Sequence, residues 1–124
     1  MILVDTSVWV DHLRARDAAL VGLLDAGEVL GHPFVLGELA LGSLRQRKLV
    51  LTSLEDLPQA SVATDPEVLN FVERQRLYGF GIGYVDAHLL AAARLTPDAS
   101  LWTRDRRLHE AAVRLGVAAT RVAE

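Results

Sequence analysis

Residues 1–13 read MILVDTSVWVDHL. Ile2-Leu3-Val4 is a short run of the fully buried strand type, and it is cut off by an aspartate rather than by a turn. A helix follows over about 7–15, facing inward with Trp9, Val10 and Leu13. A strand that passes straight into a helix is half of a β-α-β unit, and the same alternation recurs along the chain. A second helix spans about 18–26, with Leu20, Val21 and Leu24 on one face and Gly27 ending it. Residues 28–31 form a second strand. Pro33 suits the first position of a helix running through Glu38 to Gly42.

A further helix is expected over about 43–54 and a strand over 58–62. Thr64-Asp65-Pro66-Glu67 is a helix start, with a capping side chain, an early proline and an acid near the positive end of the dipole. That helix buries Val68, Phe71 and Val72. Another runs over about 84–94, after the glycine-spaced stretch 79–83. Leu101-Trp102-Thr103 reads as a strand. Leu108, Ala111, Ala112 and Leu115 mark the next helix, which Gly116 closes, and 117–122 supplies a last strand. Strands alternating with helices imply an α/β fold with a short, mainly parallel central sheet covered on both faces.

With 124 residues and no repeat or linker, the chain is expected to form a single domain over 1–124. It has no cysteine, which excludes a disulfide scaffold, thiolate zinc sites and a cysteine nucleophile. The N-terminal apolar run lacks a basic n-region and a small-residue cleavage site, so it is not a signal peptide. No apolar stretch approaches the ~20 residues of a membrane span. A cytoplasmic location and no membrane partner are expected. The net charge of −3 counts mildly against bulk electrostatic binding of nucleic acid, although acids gathered at a metal site would leave the remaining surface nearer neutral.

Four acids stand out. Asp5 and Asp105 each follow a strand and precede a helix, where aspartate is a favoured N-cap and where open parallel sheets also bind their ligands. Glu38 lies among Phe34, Val35, Leu41 and Gly42 at helical spacing, and Asp86 lies among Ile82, Gly83, Leu89 and Leu90. A carboxylate on an apolar helix face is costly unless paired, protonated or bound to a cation, although a solvated edge is the alternative for both. Two unit charges ~4 Å apart repel by about 4 kcal/mol at an effective dielectric near 20, so four converging acids call for protons or a cation. Hard oxygen ligands suit magnesium or manganese, and such an ion can activate water against a phosphodiester.

V-D-T-S at 4–7, G-E-L-A-L-G at 37–42, V-D-A-H-L-L-A-A-A at 85–93 and L-W-T-R-D-R-R-L at 101–108 together resemble the PIN-domain nucleases. The likeness is closest to the VapC-type toxins of bacterial toxin–antitoxin pairs and covers nearly the whole chain in order. It implies a PIN-like three-layer α/β/α fold and a ribonuclease dependent on Mg2+ or Mn2+, leaving 5′-phosphate and 3′-hydroxyl ends. Its implied partners are RNA as substrate, a VapB-like antitoxin, and a second copy in a homodimer within a higher toxin–antitoxin complex. It places the family's acids on Asp5, Glu38, Asp86 and Asp105, serving both catalysis and metal binding, with Ser7 and Thr103 as polar supports. Some PIN domains carry a further acid two residues after the fourth, and here that place is Arg107, which argues against a second tightly held metal.

The remaining signals are weaker. Arg45, Arg47, Lys48, Arg104, Arg106 and Arg107 are candidates to hold RNA phosphates, against the plain alternative of a solvated charged face. The histidines at 12, 32, 88 and 109 show no ligand spacing, and His88 fits a surface or packing role better than catalysis. Trp9 and Trp102 belong to the core. Leu36, Leu39 and Leu41 make a helix apolar nearly all round, which suggests a surface covered by a partner. Gly79-Phe80-Gly81-Ile82-Gly83 is a flexible loop beside the site, not a dinucleotide fingerprint. Two other functions are open. One is a non-catalytic binding module whose acidic pocket receives a basic partner peptide. The other is phosphoryl transfer on Asp5, which lacks a second aspartate and a nearby lysine, Lys48 being the only one.

Overall fold

The computed structural model describes residues 1–120. Three parallel strands, β1 (Ile2–Val4), β2 (Val29–Leu30) and β3 (Ser100–Trp102), form a sheet in the order β2-β1-β3. The register pairs Leu3 with Leu30 on one side and with Leu101 on the other. All three leucines are buried, as strands covered on both faces require. Between β1 and β2 the chain passes through α1 (Thr6–Arg14) and α2 (Ala18–Asp25). Between β2 and β3 it passes through α3 (Pro33–Ala40), α4 (Arg47–Glu55), α5 (Asp65–Gln75) and α6 (Tyr84–Leu95). Helix α7 (Arg106–Leu115) follows β3.

The core joins the sheet to Val8 and Trp9 of α1, Leu20 of α2, Val35 and Leu39 of α3, Leu89 and Leu90 of α6, and Leu108, Ala111 and Ala112 of α7. This is the three-layer α/β/α arrangement. Because β1 is central, the connections leaving β1 for β2 and returning to β3 diverge at its carboxyl end. That divergence opens the crevice where such sheets place their ligands.

The local signals read in the sequence mostly act as expected. Thr64 and Glu67 form a reciprocal capping box, and Gly27 and Gly116 take left-handed backbone at the ends of α2 and α7. Four expectations need correction. Helix α4 begins at Arg47, not near 43, because Gln46 takes a left-handed φ of 51° and Arg47 turns back to bond the Ala40 and Gly42 carbonyls. The expected strand over 58–62 shrinks to a single bridge from Gln59 to Gly31: Pro58 has no N–H to give, and the Ser61 N–H is taken by Thr96 Oγ1. The last strand is likewise one bridge, Ala118 to Leu101, and 121–122 lie outside the described residues. Finally, α1 buries Val8 and Trp9, while Val10 and Leu13 lie on its outer side. Those two edge a groove of about 490 Å³ with Leu39, Leu44 and Arg45.

Candidate active site

Asp5 directly follows the central strand. Its residue is only 6% exposed, and its carboxylate does not cap α1. Instead Oδ2 accepts 2.7 Å hydrogen bonds from both Ser7 Oγ and Thr103 Oγ1. Each hydroxyl has one proton, which is spent on Asp5, so each is free only to accept. Ser7 Oγ accepts from the Arg104 N–H, and Thr103 Oγ1 from the Asp105 N–H. Two hydroxyls thus tie the Asp5 carboxylate to the turn that begins α7.

Asp105 does cap its helix, with Oδ1 accepting from the Leu108 N–H at 2.9 Å. The plain N-cap reading therefore holds for Asp105 and fails for Asp5. Capping occupies one oxygen of a carboxylate and leaves the other for a ligand.

Asp86, in the first turn of α6, is half-buried and turns Oδ2 back onto the Gly83 N–H at 3.0 Å. Burial pushes its carboxyl above the usual aspartate range against the pull of that N–H. The charges of Asp5, Asp105 and Glu38 push it further the same way. One carboxyl feeling the other three is the physical sign that elements following three different strands and one loop bring these acids together.

Glu38 differs from expectation. It is exposed, because α3 ends at Ala40 and its neighbours Leu41 and Gly42 are themselves at the surface. The desolvation argument holds for Asp86 and not for Glu38. What fixes Glu38 is the Thr6 hydroxyl, which donates to Oε1 at 2.6 Å. Thr6 was not singled out in the sequence; its place immediately after Asp5 was the only available signal.

Among the described residues, no three histidine, aspartate or glutamate side chains stand close enough to share one ion. Each carboxylate is instead held by protein donors, which is how like charges settle when hydroxyls and amides are at hand. The donor set itself is all hard oxygen and the charges reinforce one another, so in chemistry it fits a magnesium- or manganese-class cation.

The basic residues separate into groups. Arg47 caps the carboxyl end of α3. Arg104 is bound to Asp17 at 2.5 Å and to Asp11 at 2.7 Å, and it lies over the Trp102 ring. Those partners raise its pKa, and Asp17 is lowered in turn, first by Arg104. Arg106 lies 3.6 Å from Glu110. Arg107 crosses Gly81 so closely that a Cβ there would sit 2.7 Å from its guanidinium, and the φ of +84° at Gly81 independently favours glycine. Arg45 edges the groove beside Glu38.

A strand-end aspartate is thus held by two hydroxyls, and the half-buried Asp86 is raised by burial and by the charges of three further acids. The PIN domain family model matches residues 2–114. The chain belongs to the PIN-domain family. It is also 56% identical, over 118 residues covering 95% of both chains, to Ribonuclease VapC32 of Mycobacterium tuberculosis strains CDC 1551 / Oshkosh and ATCC 25618 / H37Rv. Within this PIN domain the described residues contain no helix long and apolar enough to cross a membrane.

Proposed function

We propose that this PIN-domain protein is a divalent-metal-dependent endoribonuclease acting as the toxin of a VapBC-type pair. The observation that carries the reading is the half-buried Asp86, whose carboxyl is raised first by burial and then by the charges of Asp5, Asp105 and Glu38 beyond the carboxyl edge of the sheet. The likeness to proteins named ribonucleases over 95% of their length supports RNA as the substrate.

Asp5, Glu38, Asp86 and Asp105 would hold Mg2+ or Mn2+, which when bound supplies positive charge for the phosphate and lowers the pKa of water. Ser7 and Thr103 aim the Asp5 carboxylate, since both donate to the same oxygen. Thr6 does the same for Glu38. Of the six basic candidates, Arg45, Lys48 and Arg107 make no side-chain ion pair among the described residues and Arg106 pairs only with exposed Glu110, so these four are assigned to RNA phosphates. Arg47 and Arg104 act through the helix ends and turns they hold.

A VapB-like antitoxin is the proposed partner, with two toxin copies in the complex. The groove bordered by Val10, Leu13, Leu39 and Arg45 supports it, because it exposes apolar side chains directly beside Glu38. A basic residue of the antitoxin would enter the acidic site, so a binding role and catalysis share one surface.

Cleavage of a mixed RNA pool in magnesium or manganese tests the reading. Activity should vanish with chelator and with Asp86→Asn. Cleavage that survives both would overturn it, and metal-independent binding of a basic peptide without turnover would favour the non-catalytic module.

A further inference from the structure

The glycine-spaced segment 79–83 leads directly into α6 and its Asp86, and by composition alone it should move freely. Two arginines of α7 lie against it instead. Arg107 covers Gly81: a Cβ built there would sit 2.7 Å from Nη1, 2.9 Å from Cδ and 3.2 Å from Cζ. Arg114 lies over the Phe80 ring, 5.1 Å from its centroid, and donates through Nη2 to the Gln75 carbonyl at the end of α5. The same Nη2 is 3.5 Å from the Arg76 carbonyl. Being seven residues apart, the two arginines share one face of α7 and are spaced about 10 Å along its axis.

The segment they hold governs one of the acids. Gly79 and Gly81 take positive φ of 73° and 84°, backbone that only glycine adopts easily. The Phe80 N–H bonds the Leu77 carbonyl at 3.3 Å, and the Gly83 N–H donates to Asp86 Oδ2 at 3.0 Å. The place of Gly83 therefore sets where that carboxylate oxygen points. Gly81 and Ile82 lie between these two bonds, and Arg107 packs at Gly81.

We propose that Arg107 and Arg114 are positioning residues: they clamp the 79–83 segment to α7 and so fix the Gly83 N–H that aims Asp86. Asp105 caps the same helix, so the clamp ties two of the four acids to one rigid element. Arg107 thus has a role besides its charge. The consequence for metal binding rests on the metal-site reading above; the clamp itself does not.

The experiment uses the full chain labelled with 15N-glycine and free of metal. Backbone relaxation in the wild type should give Gly79, Gly81 and Gly83 the order of rigid backbone, with S² near 0.85 or so, about 0.85. Arg107→Ala should lower Gly81 and Gly83 to below about 0.6, and Arg114→Leu should lower Gly79 in the same way, while Gly22 within α2 stays unchanged. The Gly83 amide proton, deshielded by the carboxylate it bonds, should move upfield in Arg107→Ala. Wild-type glycines already as mobile as those of the variants, or an unmoved Gly83 resonance, would overturn the clamp. Calorimetry with manganese alone then tests the positioning role. Removing a nearby cation should by itself tighten manganese, so weaker binding reports lost positioning rather than lost charge. Arg107→Ala should weaken manganese about tenfold, within the range for outer-shell partners. Unchanged or tighter binding would leave Arg107 a phosphate contact only and overturn its positioning role. If the wild type itself binds no manganese, the metal reading fails, while glycine relaxation and the Gly83 resonance still decide the clamp.

Discussion

Thr103 at the end of β3 donates a 2.7 Å hydrogen bond to Asp5 at the end of β1, 98 positions earlier in the chain. The same hydroxyl accepts the Asp105 N–H, so one oxygen orients two of the four acids. Thr103→Val keeps the shape and removes both bonds. We expect a loss of about 2 kcal/mol, the usual size for a buried bond to a charged group, and a fall in RNA cleavage of about tenfold or more. Urea unfolding and initial cleavage rates check the two effects. Unchanged rates would show that Asp5 needs no such support.

Asp86→Asn should have opposite effects on stability and on activity. Burial and three neighbouring charges disfavour its ionised form, and asparagine can still accept from the Gly83 N–H. The metal-free variant should therefore melt at a higher temperature than wild type near neutral pH, while cleavage falls by more than about 100-fold. A lower melting temperature would assign Asp86 a structural hydrogen bond instead.

Thr6→Val isolates the support of Glu38. The bond it removes is at the surface, so stability should change by no more than about 0.5 kcal/mol. Manganese affinity should fall by about tenfold, because Glu38 is exposed and loses the hydroxyl that fixes it. Titration calorimetry beside a thermal melt separates the outcomes, and equal affinities would remove Thr6 from the site.

His32 gives the stability profile a defined acid limb. Burial holds its folded pKa at about 4, below the ordinary histidine value of 6.5, so between those values the unfolded chain binds more protons. Stability should consequently fall as pH drops from about 6.5 to 4, with a slope from this group of up to about 1.4 kcal/mol per pH unit. His32→Asn should flatten that limb. Parallel slopes for the two proteins in urea titrations across this range would show that other groups dominate.

Divalent ions should stabilise the folded chain through the same four acids. At 100 times its dissociation constant an ion adds about 2.7 kcal/mol. Manganese should raise the wild-type melting temperature and leave Asp86→Asn much less affected. Equal shifts in both would place the ion elsewhere.

Much of this was legible in the sequence because it depends on neighbours in the chain. The strand Ile2–Val4, the Thr64 cap, the Pro33 helix start and the stops at Gly27 and Gly116 are local signals, and the structure keeps them. The four acids were legible too, as residue types following strands or within apolar runs. Their separate circumstances were not. Asp5 and Asp105 look alike in sequence, yet Asp105 caps its helix and Asp5 is held by hydroxyls from two distant segments. Glu38 and Asp86 also look alike, yet only Asp86 is half-buried, because α3 ends two residues after Glu38 while α6 continues past Asp86 into the core.

The sequence by itself determined the alternation of strands and helices and the chemistry available at the strand ends, since propensity, capping and periodicity act over a few residues. Only the tertiary structure decided that β1 lies between β2 and β3, which brings Ser7, Thr103 and Asp5 within one hydrogen-bonded group and lets Asp86 feel three other charges. Hydrogen bonding and Coulomb repulsion depend on distance in space, and the crossing of the chain on either side of β1 sets those distances.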